Sequence, residues 1–186
     1  MQDKNSIRQK IIKQRKLQST KTITSSSAKI SSQLFNMPEY ISAKTVAMYW
    51  SFGSEVDTKD ILTHALAAYK LCYLPKIVGN TLNFIKITDE QELIANKYKI
   101  LEPSTGASSS PNELDLILLP LVGYTESGQR IGMGSGYYDR CLATTSNMPL
   151  LIGLAYSFQE VTDCKFDEWD IKLDIIINED EVIFCA

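Results

Sequence analysis

Between residues 4 and 17, Ile7, Ile11 and Ile12 fall on one helical stripe that Leu17 extends, while Lys and Arg residues fill the rest. That spacing predicts an amphipathic surface helix over about 4–17. The Ser/Thr-rich stretch 19–27 reads as a break, a second helix is expected over about 27–36, and Pro38 starts a turn or a further short helix. Beyond it, apolar runs at 45–50, 71–74, 82–87, 115–121, 150–156, 173–177 and 181–184 predict strands. Helical stretches separate several of them, most clearly 58–70 and 137–144. Strands apolar on both faces need cover on both sides, so the expected fold is α/β, with a mostly parallel sheet flanked by helices. The segment PSTGASSSPN at 103–112 is the one obvious flexible loop, and with about 75 residues following it, it reads as a mobile loop within a single domain spanning 1–186.

Composition narrows the class. With 44% apolar and 22% charged residues, the 186-residue chain is neither disordered nor collagen-like. Its apolar runs are too short to span a bilayer, and the N-terminus lacks the apolar core of a secretory signal. The net charge of -3 hides an asymmetry: Lys4, Arg8, Lys10, Lys13, Arg15, Lys16 and Lys21 face Asp3 alone in residues 1–22. A basic start on an acidic body suggests contact with an anion. The stretch to Asn36 also has the basic, hydroxyl-rich composition of a transit peptide, a minor alternative to the cytoplasmic protein expected. Cys72, Cys141, Cys164 and Cys185 lie far apart, so neither a zinc site nor a disulfide framework is indicated, and free thiols in a reducing cytoplasm are expected. The only histidine, His64, falls on the polar side of its predicted helix, as a surface residue, which argues against Ser-His or Cys-His catalysis. Without aromatics interleaved among the basic residues, no nucleic-acid arm is expected.

Five of the nine glycines lie between 123 and 136, in DLILLPLVGYTESGQRIGMGSGYYDRCLA. This reads as a buried strand, a loop, a glycine-rich turn and a helix beginning near Tyr137. Glycines permit positive φ and close backbone approach, so successive amides can surround a phosphate while a following helix points its positive end at it. Arg130 adds a bidentate cation. The alternative is a tight turn whose glycines serve packing alone. The pattern is neither G-x-G-x-x-G nor a P-loop. An aspartate at 139 beside polyphosphate needs an intervening cation, and magnesium suits that position.

The run R-I-G-M-G-S-G-Y-Y-D-R resembles the signature of the 5-formyltetrahydrofolate cyclo-ligase family, also called 5,10-methenyltetrahydrofolate synthetases. Lys4 and Arg8 stand at the spacing of the family's K-x-x-x-R, and MYWSFGSEVDT, ILEP, DLILLP and EWDIKLDIIINE are similar to further family segments in the same order. The resemblance implies a fold like that of the ribose-phosphate isomerase and coenzyme A transferase group. It also implies an ATP- and magnesium-dependent cyclisation of 5-formyltetrahydrofolate to 5,10-methenyltetrahydrofolate. By that resemblance Lys4, Arg8, Arg130, Gly132, Met133, Gly134, Ser135, Gly136, Tyr137 and Tyr138 bind ATP, with Arg130 and Tyr138 catalytic. Phe52, Asp57 and Tyr137 meet the folate, and Asp139 and Asp170 hold the metal. Asp57 has a second reading as a helix cap. Three residues depart from the family pattern: Thr125 in place of an aspartate, Ser135, and Trp169 in place of a histidine. The expected partners are the reduced folate and ATP, with no nucleic acid, membrane or obligate protein partner. The competing reading is a folate- or nucleotide-binding module without turnover.

Overall fold

The computed structural model describes residues 3–88 and 93–185. Helix α1 (Lys4–Lys16) starts at Asp3, whose carboxylate accepts the Asn5 and Ser6 amides. Helix α2 (Thr20–Phe35) begins a full two turns before the expected position: Ser19 caps it by accepting the Thr22 amide at 3.1 Å, so the break is only a few residues long. The hydroxyl-rich half of α2 is helical because it is packed. Ser26, Ser27 and Ser31 are buried, and small side chains there let α2 lie close to the body, which outweighs their modest helix propensity. Helix α3 (Pro38–Ser42) follows the proline, α4 (Lys59–Ala67) matches the 58–70 expectation, and α5 (Tyr137–Leu142) is shorter than the predicted 137–144.

All seven predicted apolar runs carry strands. The main sheet contains β1 (Thr45–Ala47), β2 (Leu71–Val78), β3 (Thr81–Ile87), β6 (Ser108–Ser109), β7 (Leu116–Leu119), β10 (Leu150–Leu154), β11 (Ile175–Ile177) and β12 (Val182–Phe184). Two small hairpins, β4 (Leu93–Ala95) with β5 (Leu101–Pro103) and β8 (Gly123–Tyr124) with β9 (Arg130–Ile131), were not foreseen. The eight strands run in the order β12-β11-β10-β7-β1-β2-β3-β6. The central pairings β11–β10, β10–β7, β7–β1 and β1–β2 are parallel, while the outer ones are antiparallel. Within 103–112, β6 joins the sheet edge, and Ser110 and Glu113 form a reciprocal cap on the next turn.

Alternation along the strands feeds two cores. Leu116, Leu118, Ile152, Ile175 and Ile177 face α2, α3 and α4, whereas Ile117, Leu119, Leu151 and Ile176 face Leu142 of α5. A third cluster joins Ile7 and Ile11 of α1 to Val122 and Ile131, which docks the N-terminal helix on the β8–β9 hairpin. His64 is a surface residue as expected, with its ring stacked at 3.8 Å on Phe35 and its Nδ1 bonded to the Tyr40 hydroxyl at 3.0 Å. No helix among the described residues is long and apolar enough to cross a membrane.

Candidate active site

The parallel strands β1 and β7 end at one cavity of about 700 Å³, entered through the residues that follow them, Tyr49, Trp50 and Phe52 after β1 and Pro120 after β7. Open α/β sheets bind ligands at this position, outside the carboxyl ends of the strands. One end of the cavity is made by the glycine turn. Gly134 at φ 97° and Gly136 at φ 64° take conformations that side chains disfavour, and they turn the chain between β9 and α5. Arg140 fixes the turn from behind, its Nε donating to the Asn80 carbonyl at 2.6 Å and its Nη2 to the Ser135 carbonyl at 2.7 Å. Among the described residues, the amides of Met133, Gly134, Ser135 and Gly136 donate to no protein group. These are unspent donors at a cavity wall, which suits an anion. Upstream, the Thr125 hydroxyl accepts the Gln129 amide at 3.2 Å, so this departure from the family pattern still closes its own turn.

Helix α1 brings cations to the same end. Arg8 Nε donates to the Gly132 carbonyl at 2.7 Å, and its guanidinium lies over Gly134. Lys4 Nζ bonds Asp167 at 2.8 Å and Asp170 at 2.5 Å. Burial works against the Lys4 charge, but the two carboxylates outweigh it and hold the titration of Lys4 above the ordinary lysine value. Arg130 Nη2 bonds Asp139 at 2.6 Å, and its buried Nε has no partner among the described residues. The two cation–carboxylate pairs Lys4–Asp170 and Arg130–Asp139 thus face one space.

The other end is aromatic. Tyr49, Trp50 and Phe52 line it, while Tyr98 and Tyr137 line the wall between the β4–β5 hairpin and the glycine turn, their hydroxyls 3.3 Å apart. Burial pushes the Tyr138 phenol well above its ordinary titration range, so it stays a protonated donor.

Of the predicted site residues, the structure brings Lys4, Arg8, Phe52, Arg130, Gly132 through Asp139, and Asp170 to this one cavity. Asp57 is not brought there. Its Oδ1 accepts the Ser51 hydroxyl at 2.9 Å and the Lys59 amide at 3.1 Å, and its own amide donates to Ser27 at 3.0 Å, so its carboxylate takes the first amide of α4 from the position before the N-cap residue Thr58. Of the two acids in the S-E-V-D-T run, the one that lines the cavity is Glu55, two residues earlier. Glu55 Oε2 accepts the Phe52 amide at 3.0 Å, and Oε1 lies 3.8 Å from Arg15 Nη2. Burial raises the Glu55 titration above the ordinary value, against the opposing pull of Arg15 and of the Phe52 amide. Sequence reasoning also passed over Tyr98 and the lining Asp167. Glu55 and Asp57 belong to the same S-E-V-D-T run, and the structure turns Glu55 rather than the expected Asp57 to the cavity.

A cleft at the carboxyl ends of parallel strands, cationic at one end and aromatic with a partly buried acid at the other, defines an α/β enzyme. Residues 1–179 match the model of the 5-formyltetrahydrofolate cyclo-ligase family. The 5-formyltetrahydrofolate cyclo-ligase of Mycoplasma pneumoniae is 34% identical over 181 residues, 96% of this chain and 99% of the relative. That of Escherichia coli K12 is 34% identical over 157 residues, 81% and 86% respectively. The solved structure of Aquifex aeolicus 5,10-methenyltetrahydrofolate synthetase superimposes with a TM-score of 0.88 at 32% identity, covering 97% of this chain and 92% of that one. The chain belongs to the 5-formyltetrahydrofolate cyclo-ligase family.

Proposed function

We propose that this enzyme closes 5-formyltetrahydrofolate to 5,10-methenyltetrahydrofolate with ATP and magnesium, releasing ADP and phosphate. The observation that carries the reading is the two-ended cavity: free amides, Arg8, Lys4 and Arg130 at one end, and aromatic rings around Glu55 at the other. A triphosphate suits the first end. A pterin suits the second, because its fused amino-pyrimidine edge presents a donor pair that matches a carboxylate, and Glu55 takes the part first expected of Asp57. Both chain ends contribute, through Lys4 and Asp170, which supports one domain. Cys72, Cys141, Cys164 and Cys185 stand free, which supports a reducing, cytoplasmic setting.

Chemically, the formyl oxygen is a poor leaving group. It attacks the γ-phosphorus, the bond to the β-phosphate oxygen breaks and ADP departs. N10 of the folate then bonds to the activated formyl carbon, the C–O bond breaks, phosphate leaves and N10 loses its proton. Such transfer needs positioning and charge neutralisation more than a covalent nucleophile. Arg130, released from Asp139 when phosphate engages it, neutralises charge on the transferring group, and Tyr138 supplies a neutral hydroxyl donor. Lys4, Arg8 and the amides of 133–136 orient the phosphates.

The residues fit magnesium. No cluster of three or more His, Cys, Asp or Glu side chains exists among the described residues, but this ion is usually held by one or two carboxylates completed by phosphate oxygens and water. Asp139 and Asp170 would hold it. Each is now paired with a cation that a phosphate would otherwise engage, so a divalent ion and a polyphosphate arriving together satisfy both signs. When bound, the ion supplies charge neutralisation at the phosphate oxygens.

The test is the ultraviolet absorbance of the methenyl product on mixing protein, magnesium, ATP and 5-formyltetrahydrofolate. Signal that requires ATP and is lost in Asp139→Ala supports the proposal. A flat trace from folded wild-type protein overturns it, and tight folate binding with no turnover identifies a binding module instead.

A further inference from the structure

We propose that Arg15 is a positioning residue for the folate end of the cavity, the buried counter-ion that holds and aims the Glu55 carboxylate. The inference rests on the reading that Glu55 receives the folate ring.

Arg15 was expected only as part of a basic surface, yet its side chain is 7% exposed. Nη1 donates to the Leu121 carbonyl at 3.3 Å, Nη2 stands 3.8 Å from Glu55 Oε1, and Nε is buried without a partner among the described residues. A buried cation so incompletely bonded is costly, and an apolar side chain of similar length fills such a space without that cost. Its retention calls for a use, and Glu55 is the anion it faces. The carboxylate is divided between two tasks: Oε2 is tied to the Phe52 amide, while Oε1 has the Arg15 charge nearby at a distance longer than a hydrogen bond.

The other groups around Glu55 do not substitute for Arg15. Tyr49, Tyr138 and Tyr156 share this environment as neutral phenols whose titration is raised, chiefly by burial, and the carboxylates of Glu179 and Asp57, which act on Tyr156, add negative charge rather than a second cation. The Tyr49 hydroxyl donates to the Val56 carbonyl at 2.9 Å and that of Tyr156 to the Glu55 carbonyl at 3.2 Å, so neither is directed at the carboxylate. The Arg130 charge acts on Tyr138 and is itself paired to Asp139. Arg15 is therefore the cation that offsets the burial of Glu55. Helix α1 consequently serves both ends of the cavity, with Lys4 and Arg8 beside the phosphate turn and Arg15 behind the acid.

The decisive variant is Arg15→Gln, which keeps a donor for the Leu121 carbonyl and removes the charge. Steady-state kinetics are measured from pH 5.5 to 9. In the wild type the KM for 5-formyltetrahydrofolate is expected to be flat near neutral pH. In Arg15→Gln it should rise at least tenfold at neutral pH and recover as pH increases, because an unopposed buried carboxyl ionises only at higher pH. The KM for ATP should stay within about twofold. Arg15→Lys should return most of the profile, and adding Arg15→Gln to Glu55→Gln should bring no further pH dependence. A folate KM profile that superimposes on the wild type overturns the inference. So does a parallel, pH-independent rise in both KM values, which marks a merely structural role. If Arg15→Gln does not fold, NMR titration of Glu55 in the wild type decides: a carboxyl protonated at pH 7 rules out an effective counter-ion. Wild-type protein that neither binds nor converts the folate would refute the proposed reaction, while the titration would still test the Arg15–Glu55 pair.

Discussion

Alanine substitutions in the glycine turn should have unequal effects, because the three positions differ in backbone conformation and in space. At Gly134 an added methyl would sit 3.5 Å from Arg8 Cζ, an ordinary contact, so the cost comes from φ 97° alone. Holding an L-residue in such a region costs about 2 kcal/mol. Because the position is exposed, the free loop can escape by rotating to negative φ, which turns its amides away from the cavity. The penalty then reappears when nucleotide restores the turn, and about 2 kcal/mol corresponds to about a thirtyfold rise in the KM for ATP. At Gly136 the φ of 64° costs about 1 kcal/mol, and the methyl meets Arg140 Nη1 at 2.7 Å. Displacing that flexible side chain weakens its bonds to Asn80 and Ser135, so a lower melting temperature should accompany the rise in KM. Gly132 is the control: its φ lies outside the left-handed region and its nearest neighbour would be Arg130 Nη1 at 3.4 Å, so Gly132→Ala should stay within about threefold of wild type. The assay is methenyl absorbance against ATP concentration, with a thermal melt for each variant. If Gly132→Ala and Gly134→Ala raise KM equally, or Gly134→Ala has no effect, the cradle argument fails.

Glu55→Gln should raise the folate KM by about tenfold or more, the scale of a hydrogen bond to a charged group, and leave the ATP KM unchanged. Asp57→Ala should do the reverse of what the sequence suggested, keeping the folate KM while losing about 1 kcal/mol of stability with its bond to the first α4 amide, or a few degrees of melting temperature. Asp115 tests the fold away from the cavity: its carboxylate accepts the Lys44 and Thr45 amides at 2.7 and 2.9 Å and clamps β1 to β7. Burial alone would raise its titration, but these bonds prevail and depress it. The stabilisation is therefore present above the unfolded-state value near pH 4 and is lost as pH falls through the lower folded value. Asp115→Asn should cost about 1 kcal/mol at pH 7 and nothing in stronger acid, as read by denaturant melts, and a gap persisting in acid would contradict the assignment.

The central strands were legible because each is buried on both faces, so its apolar run is set by its place in the sheet. Strands β4, β5, β8 and β9 span two or three residues and are fixed by hairpin partners, which leaves no periodicity to read. The start of α2 was hidden for a different reason: a serine run is a weak helix former alone, and only its contact with the body makes small buried side chains favourable. Tertiary contact also separated Glu55 from Asp57. Ser27 of α2 takes the Asp57 amide and Ser51 takes a place beside its carboxylate, which leaves Glu55 as the acid of that run turned to the cavity.

The N-terminal helix shows how much further the charge pattern reached than its first reading. At about 100° per residue, Arg8 lies about 40° from Lys4 around the helix and Arg15 about 20° from it, whereas Lys10, Lys13 and Lys16 fall 120° or more away, all approximate angles for an ideal helix. Lys4, Arg8 and Arg15 therefore form one stripe, flanked by the Ile7 and Ile11 contact that anchors α1, and the remaining lysines face outward. Counting charges over residues 1–22 merged these two sets into a single basic patch. Separating them by angle distinguishes cations that the fold engages, Arg15 buried and Lys4 and Arg8 half-buried, from cations that it leaves to solvent, and the same angular test explains why a helix with so little apolar surface is held against the body at all. Its inward stripe meets Asp167 and Asp170 at one end, the Gly132 carbonyl in the middle and Glu55 at the other, so docking of α1 and assembly of the cavity are the same event.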